Sequence, residues 1–171
     1  MKSLIEGFLY KEATLDDEAE IKTLLKWGLE DNEGLSLPIR PTPKSICNFF
    51  GLEIRPPLIN FDPAFLAYRD DEEDNRPIGF SCASTCINEI YDLPEKVGLG
   101  VITITAKPYR RLGIATRMRE LSLKALKEKG CEKVLTDISK SNEASIAGCE
   151  NIAKDNGFQY NIISNKYECK I

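Results

Sequence analysis

Histidine is absent from all 171 residues of the sequence. Its absence excludes Ser-His-Asp and Cys-His catalysis within this chain, and it removes a very common ligand of protein-bound transition metals. Any general base would have to be a carboxylate, a tyrosine, a thiol or a water molecule held by main-chain groups. We therefore expect chemistry without an imidazole and without a metal ion.

Paired cysteines, long apolar runs and an excess of positive charge are also missing. The six cysteines, at positions 47, 82, 86, 131, 149 and 169, lack the spacing of common zinc sites, and we interpret them as buried, reduced thiols. No apolar run approaches the ~20 residues that span a bilayer. The first residues lack the apolar stretch of a signal peptide, so we expect a cytoplasmic protein without a membrane partner. A net charge of −4 disfavours a broad surface for nucleic acid.

The length and a hydrophobic fraction of 42% fit one domain that spans residues 1–171. Strands are predicted at 7–13, 64–69, 77–90, 97–106, 132–138, 158–163 and 166–170, and helices at about 15–30, 43–50, 112–129 and 143–156. This order rules out a doubly wound parallel sheet. It predicts an α+β (mixed α/β) fold with one mixed, mostly antiparallel sheet of about seven strands and helices on both faces. The buried stripe of the helix over 112–129 is predicted to be Ile114, Met118, Leu121 and Ala125.

The segment over 102–118 has the strongest functional signal. A strand ends there, a short loop contains Gly113, and a helix begins immediately. The first amides of a helix lack intrahelical partners, and a glycine allows an anion to approach them closely. Arg110, Arg111 and Arg117 add positive charge. The segment therefore predicts a diphosphate cradle, and the alternative is a basic helix end with an incidental glycine.

Several residues in and after this segment match the marks of a known family. Arg110-x-x-Gly113-x-Ala115 follows a strand and is preceded by Tyr109, while Asn142 and Gly157-Phe158 lie downstream. The pattern resembles the Arg/Gln-x-x-Gly-x-Gly/Ala signature, the asparagine and the glycine-phenylalanine pair of the GNAT acetyltransferase superfamily. Upstream of residue 97 the resemblance is one of element order only.

The resemblance implies a V-shaped split between the fourth and fifth strands, 97–106 and 132–138, where acetyl-CoA binds as the acetyl donor. Main-chain groups of the fourth strand would pair with the pantetheine arm, the cradle would hold the diphosphate, and the asparagine would bond the arm near its thiol. These roles fall on Thr103, Ile104 and Thr105, on Arg110, Arg111, Leu112, Gly113, Ile114, Ala115 and Thr116, and on Asn142.

The implied reaction is direct attack of a neutral primary amine on the thioester carbonyl, which a backbone N–H of the fourth strand would polarise. Many members of the superfamily place a tyrosine seven residues after the asparagine, as the acid that protonates the departing thiolate. That slot is Cys149 when counted from Asn142, and Ala153 when counted back from Gly157-Phe158. Cys149 is the candidate acid. Its alternative is a small buried residue, with solvent protonating the thiolate.

The base, the acceptor and the oligomeric state stay open at the level of sequence. No spacing selects a general base among Glu53, Glu89, Tyr91 and Asp92. The acceptor is a small-molecule amine, a peptide N-terminus or a lysine, and the protein is a monomer or a homodimer. Because the tyrosine is missing, a catalytically silent fold that binds acyl-CoA as a sensor or scaffold is the main alternative. A toxin that acetylates charged tRNA is disfavoured by the net charge of −4.

Overall fold

Seven strands and three α-helices lie in the part of the chain that the computed structural model describes, which comprises residues 7–30, 63–70, 76–85, 97–138, 142–156, 160–163 and 166–170. The strands are β1 (Phe8–Glu12), β2 (Ala64–Arg69), β3 (Gly79–Ser84), β4 (Val97–Thr105), β5 (Lys133–Asp137), β6 (Tyr160–Ile163) and β7 (Lys166–Lys170). The helices are α1 (Glu18–Glu30), α2 (Ile114–Glu128) and α3 (Glu143–Asn156), with short 3₁₀ turns at Leu15–Asp17 and Lys107–Tyr109. The helix predicted over 43–50 lies outside the described residues.

All seven strands form one sheet in the order β1-β2-β3-β4-β5-β7-β6. Every neighbouring pair is antiparallel except β4 and β5, which run parallel. A parallel pair needs a crossover connection, and α2 provides it. The predicted mixed, mostly antiparallel sheet is confirmed.

Alternate residues of the central strands pack on opposite faces of the sheet. On one face, Leu66 and Ile104 form a buried cluster with Leu24 of α1. On the other face, Ala67 packs with Met118 of α2. Burying each large side chain of this kind contributes about 1.5–3 kcal/mol relative to its exposure. Helices therefore cover both faces, as the sequence predicts.

The buried stripe of α2 differs from the sequence prediction in its second half. Its buried residues repeat at intervals of four, as Ile114, Met118, Ser122 and Leu126. Leu121 and Ala125 are only partly buried, so that half of the predicted stripe is wrong. The prediction followed the apolar side chains, whereas the packing of α2 places a serine in the core.

Two contacts between α2 and the sheet explain this packing of α2. Ser122 Oγ lies 3.3 Å from Ser81 Oγ on β3, and Ser81 Oγ lies 3.0 Å from Thr103 Oγ1 on β4. The buried hydroxyl groups thus satisfy one another, which removes most of the cost of burying them. Leu126 packs directly on β4 because residue 98 is glycine: a Cβ at Gly98 would lie 2.8 Å from Leu126 Cδ1.

The cysteines whose side chains the structure describes, Cys82, Cys131 and Cys149, are buried, and none of the three forms a disulfide bond. Burial raises the pKa of the Cys82 thiol. In the described ranges, no three acidic or cysteine side chains gather as they would around a metal ion. No α-helix of those ranges combines the length and the apolar composition needed to cross a membrane.

Candidate functional site

The sheet opens between β4 and β5. Their parallel register runs from the pair Val97–Lys133 to the pair Gly100–Thr136. Thr136 Oγ1 donates a hydrogen bond to the Gly100 carbonyl over 3.2 Å at this last pair. Residues 101–105 continue β4 beyond it, and among the described strands they pair with β3 alone. One edge of β4 therefore faces the opening.

A β-bulge in β4 accompanies the opening. The pairing with β3 skips Val101, between Gly100 and Ile102. An extra residue bends the strand and exchanges the faces to which the later side chains point. Gly98, before the bulge, lies against α2, whereas Ile102, after it, joins the buried cluster of α1. The bulge thus changes the course of β4 at the point where it leaves β5.

The open edge of β4 presents main-chain groups of Thr103 and Thr105. Ala106 donates its N–H toward the β3 side over 2.8 Å, to the carbonyl of Ile78. Since successive strand residues direct their main-chain groups to alternate edges, we infer that Ile104 also bonds toward β3. The Thr105 carbonyl accepts a bond of 3.1 Å from Nε of an arginine in the following loop, in agreement with this direction. Thr103 and Thr105 therefore face the opening.

The helix after this strand begins without a side-chain cap. Gly113 is its N-cap, with φ 81° in the left-handed region, and no side chain there bonds the first turn. The N–H of Arg117 bonds the Gly113 carbonyl over 2.9 Å. The amides of Ile114, Ala115 and Thr116 precede that first intrahelical bond. Because the first turn also holds no acidic residue, this end of α2 suits an anion.

The loop that leads into α2 is anchored at several points. Tyr109 packs on the α2 side of the sheet, and the Arg69 guanidinium lies 5.9 Å from the centre of its ring. Arg110 is tied by its Nε to the end of β4. Between these anchors and α2, Arg111 has φ 65°, a conformation that residues with a Cβ rarely adopt and that costs on the order of 1 kcal/mol. Leu112 is 47% exposed and does not join the core.

The three arginines around the cradle have different surroundings. Arg117 forms an ion pair of 3.0 Å with Glu120, one turn further along α2. Arg110 is engaged by the end of β4. Arg111 is exposed, and in the described part of the chain it has no ion pair. Arg111 is thus the arginine best placed to meet an incoming anion.

Asn142 begins α3, the helix that follows β5. Its Oδ1 accepts the N–H of Ser145 over 3.1 Å, and its carbonyl accepts the N–H of Ile146 over 3.1 Å. This is the geometry of an N-cap, which fixes the direction of the side chain. A bond from Asn142 to a ligand would use Nδ2, since Oδ1 serves the cap.

Cys149 lies in α3 and is 5% exposed. It belongs to a small apolar cluster with Ile138 and Ile146. Such surroundings are typical of the alternative to the acid role, a small buried residue, and the acid role stays a prediction. The side chain of Ala153 is not among those described, and the four residues considered for the base, Glu53, Glu89, Tyr91 and Asp92, lie outside the described ranges.

Two features near the opening had no signal in the sequence. Arg119 of α2 reaches α3, where its Nη2 donates to Ser145 Oγ over 3.0 Å. Thr105 Oγ1 is buried and has no hydrogen-bond partner among the described residues. Neither spacing nor periodicity separates Arg119 from the solvated charges of α2, and a threonine in a strand is ordinary. Both features depend on tertiary contacts.

A comparison with protein families decides the relationship. A sequence profile of the acetyltransferase (GNAT) family matches residues 22–151, which is well over half of the chain. The chain belongs to the GNAT acetyltransferase family. The match includes β4, the cradle and the start of α3, and the resemblance seen in the motif is confirmed.

Solved structures share the GNAT fold with this chain at low sequence identity. The diaminobutyrate acetyltransferase from Paenibacillus lautus, solved with L-2,4-diaminobutyric acid and coenzyme A, is 17% identical with a TM-score of 0.66, over 95% of this chain and 94% of that one. YncA from Salmonella typhimurium, solved with acetyl-CoA, is 12% identical with a TM-score of 0.62, over 97% and 94%. A chain of the NatC complex, solved with Gag peptide and CoA, is 19% identical with a TM-score of 0.62, over 96% of both chains. A search of curated protein sequences gave no match.

Proposed function

We propose that this GNAT protein transfers the acetyl group of acetyl-CoA directly to a primary amine. The observation that supports the proposal most is the uncapped start of α2 beside the open edge of β4. The two features together offer amide donors for a diphosphate and a strand edge for an extended arm. Thr105 Oγ1, a buried hydroxyl without a hydrogen-bond partner in the described ranges, lies at the end of the same strand.

We assign one role to each part of the proposed site. The amides from Arg111 to Thr116 would hold the diphosphate, with Arg110 keeping the loop against β4. Main-chain groups of Thr103 and Thr105 would pair with the pantetheine arm, whereas those of Ile104, which the resemblance also implies for this role, are directed toward β3. Asn142 would bond the same arm through Nδ2.

In the proposed reaction the amine nitrogen forms a bond to the acetyl carbonyl carbon while the carbon–sulfur bond to CoA breaks. The amine loses one proton and the departing thiolate gains one. A main-chain N–H on the open edge of β4 would polarise the carbonyl, as donors in an oxyanion hole do. Cys149 stays the candidate donor of the proton to the thiolate, with solvent as the alternative.

The acceptor belongs to one of three classes: a small-molecule amine, a peptide N-terminus or a lysine. Two structural relatives were solved with different bound molecules, the substrate L-2,4-diaminobutyric acid in one and a Gag peptide in the other. Because their fold is shared with this chain, the fold is compatible with small-molecule and peptide ligands. A cytoplasmic location and a monomeric or homodimeric state stay predictions.

A binding-only role is the second candidate, and one observation favours it. The slot of the usual tyrosine falls on Cys149 or Ala153, neither of which is a tyrosine, and Cys149 lies in an apolar cluster. A protein that lacks an efficient acid would still bind acyl-CoA through the cradle and act as a sensor or scaffold.

The binding half of the proposal is tested by calorimetry with acetyl-CoA on wild type, Gly113→Glu and Gly130→Glu. The two glycines form a matched pair, because both have φ near 80° and they lie at opposite ends of α2. We expect wild type to bind with micromolar affinity, about −8 kcal/mol. Gly113→Glu should weaken binding at least about 100-fold by placing a carboxylate in the cradle, and Gly130→Glu by less than about threefold.

The transfer half is tested by following the release of CoA thiol with a panel of amines. Turnover with any class of amine that is lost in Gly113→Glu supports the enzyme. Tight binding without turnover on all three classes supports the sensor. A wild-type protein that does not bind acetyl-CoA contradicts both.

A further inference from the structure

One side chain joins the two helices that flank the opening. Arg119 of α2 donates from Nη2 to Ser145 Oγ (3.0 Å) and from Nη1 to the Ser145 carbonyl (3.4 Å). α2 follows β4 and α3 follows β5, the two strands that separate beyond Gly100–Thr136. Arg119 therefore joins α2 to α3 on the side of the sheet opening where β4 and β5 no longer pair.

Ser145 links this contact to the start of α3. Its N–H donates to Asn142 Oδ1 over 3.1 Å, while its Oγ and carbonyl accept from Arg119. One residue thus holds the side chain of Asn142 on one side and the guanidinium of α2 on the other. A displacement of Arg119 would move the N-cap of α3 relative to α2.

The guanidinium of Arg119 lies against a glycine of α3. A Cβ at Gly148 would lie 3.0 Å from Arg119 Nη1 and 3.9 Å from Thr116 Oγ1. The glycine at residue 148 leaves room for the guanidinium, at a point where α3 lies next to the first turn of α2. In the described part of the chain Arg119 has no carboxylate partner, so its hydrogen bonds go to a neutral residue.

We propose that Arg119 is a positioning residue for acetyl-CoA. Through Ser145 it fixes the distance between Asn142 and the amides at residues 111–116. The inference rests on the proposed function, because these two groups are the ones assigned to the arm and the diphosphate of the cosubstrate. Its physical basis is preorganisation: two contacts to one ligand bind tightly only when their spacing is fixed beforehand.

The test measures the affinity for acetyl-CoA by calorimetry in Arg119→Met, Arg119→Lys, Ser145→Ala and Lys124→Met. Arg119→Met removes the forked donor and should weaken binding about tenfold. Arg119→Lys keeps the charge but not the forked donor. It should therefore still bind acetyl-CoA at least about threefold more weakly than wild type does. Ser145→Ala should weaken binding about threefold. Lys124→Met is the matched control on α2, because Lys124 is 75% exposed in a long ion pair.

A double variant separates positioning from a general loss of structure. Asn142→Ser keeps an N-cap residue and removes the amide proposed to bond the ligand. If Arg119 acts through Asn142, Arg119→Met should cost less than about twofold in the Asn142→Ser background. A general loss of structure or of charge would cost the full tenfold in both backgrounds and would overturn the proposal.

The remaining outcomes are distinct from one another. Wild type without affinity for acetyl-CoA contradicts the proposed function itself. Wild type that binds, with Arg119→Met equally tight, contradicts only the positioning role, as does full recovery in Arg119→Lys. If Arg119→Met does not fold, Ser145→Ala in the two Asn142 backgrounds decides the question by the same criterion.

Discussion

Two strand-to-helix junctions of this protein, β1–α1 and β4–α2, satisfy the start of a helix in opposite ways. Before α1, Asp17 accepts the N–H of Thr14 over 2.8 Å and pairs with Lys11 Nζ at 2.7 Å. Acidic residues continue into the first turn of α1. Before α2, Gly113 provides no side-chain bond, and the first turn has no acidic residue. The first junction neutralises its own helix end, and the second leaves that end to a ligand.

The third described α-helix supports the same distinction. α3 begins with an asparagine cap and with Glu143 in its first turn. Of the three α-helices in the described ranges, α2 is thus the one whose start has neither a side-chain cap nor an acidic residue. A helix start that is capped by its own side chains stabilises the fold. A start without such a cap is less stabilising, but its amides are available to bind an anion.

The largest effect is expected from making the α2 junction resemble the α1 junction. Thr116→Glu places a carboxylate in the first turn of α2, where it interacts favourably with the amides and the helix dipole. We expect the free energy of unfolding to rise by about 0.3–1 kcal/mol and the affinity for acetyl-CoA to fall at least about 30-fold. Urea unfolding and calorimetry measure the two changes. Thr116→Gln is the control for size, and a carboxylate variant that binds as tightly as Thr116→Gln would contradict the comparison.

The reverse change at the α1 junction should affect stability alone. Asp17 is 8% exposed, and Asp17→Ala leaves the Thr14 N–H without its acceptor and Lys11 without its ion pair. We expect a loss of about 1–3 kcal/mol in the free energy of unfolding. The dissociation constant for acetyl-CoA should change by less than about twofold, since this junction lies outside the proposed site. A large change in affinity would show that the two junctions are not independent.

The same carboxylate gives the protein a pH-dependent stability. The hydrogen bond from Lys11 holds the pKa of Asp17 below its ordinary value of 3.8. A lowered folded-state pKa contributes stability that is complete above the unfolded-state pKa and is lost as the pH falls through the folded-state pKa. Between about pH 6 and about pH 3, wild type should therefore lose more free energy of unfolding than Asp17→Asn does. Equal losses in urea unfolding of the two proteins would contradict the assignment.

The smallest effect is expected at the contact between α2 and α3. Gly148→Ala improves the helix propensity of α3 by about 0.5–1 kcal/mol. Its methyl group would stand 3.0 Å from Arg119 Nη1, so the guanidinium must shift by a few tenths of an ångström. We expect thermal stability to stay equal or rise while the affinity for acetyl-CoA falls about threefold. Unchanged affinity would indicate that the contact tolerates this shift.

Much of the fold follows from local sequence. The bounds of α3 and β2 were predicted without error. A cap residue at position 142 and a glycine at position 157 delimit α3, whereas Pro63 and the acidic run over 70–74 delimit β2. The cradle was predicted from Gly113 and the strand before it, since the chemistry of a helix start depends on adjacent residues only. Gly130 was likewise expected in the left-handed region after α2, and its φ is 82°.

The rest depends on contacts between distant residues. Ser122 is buried where the sequence predicts Leu121, because its hydroxyl forms a hydrogen bond with Ser81 on β3. Leu126 is buried because Gly98 lies opposite it. The bulge at Val101 has no local signal, yet it reverses the faces of β4. Arg119 is one of several charges on α2, and only the position of α3 distinguishes it.

We propose that the amides at the start of α2 bind the diphosphate and that those at the start of α1 do not. The most direct test is to titrate ¹⁵N-labelled wild-type protein with acetyl-CoA and to follow the backbone amide resonances. The largest shifts should fall on residues 111–116, while the amides at residues 15–18 stay unchanged. Binding that leaves residues 111–116 unmoved, or that shifts both helix starts equally, would contradict it.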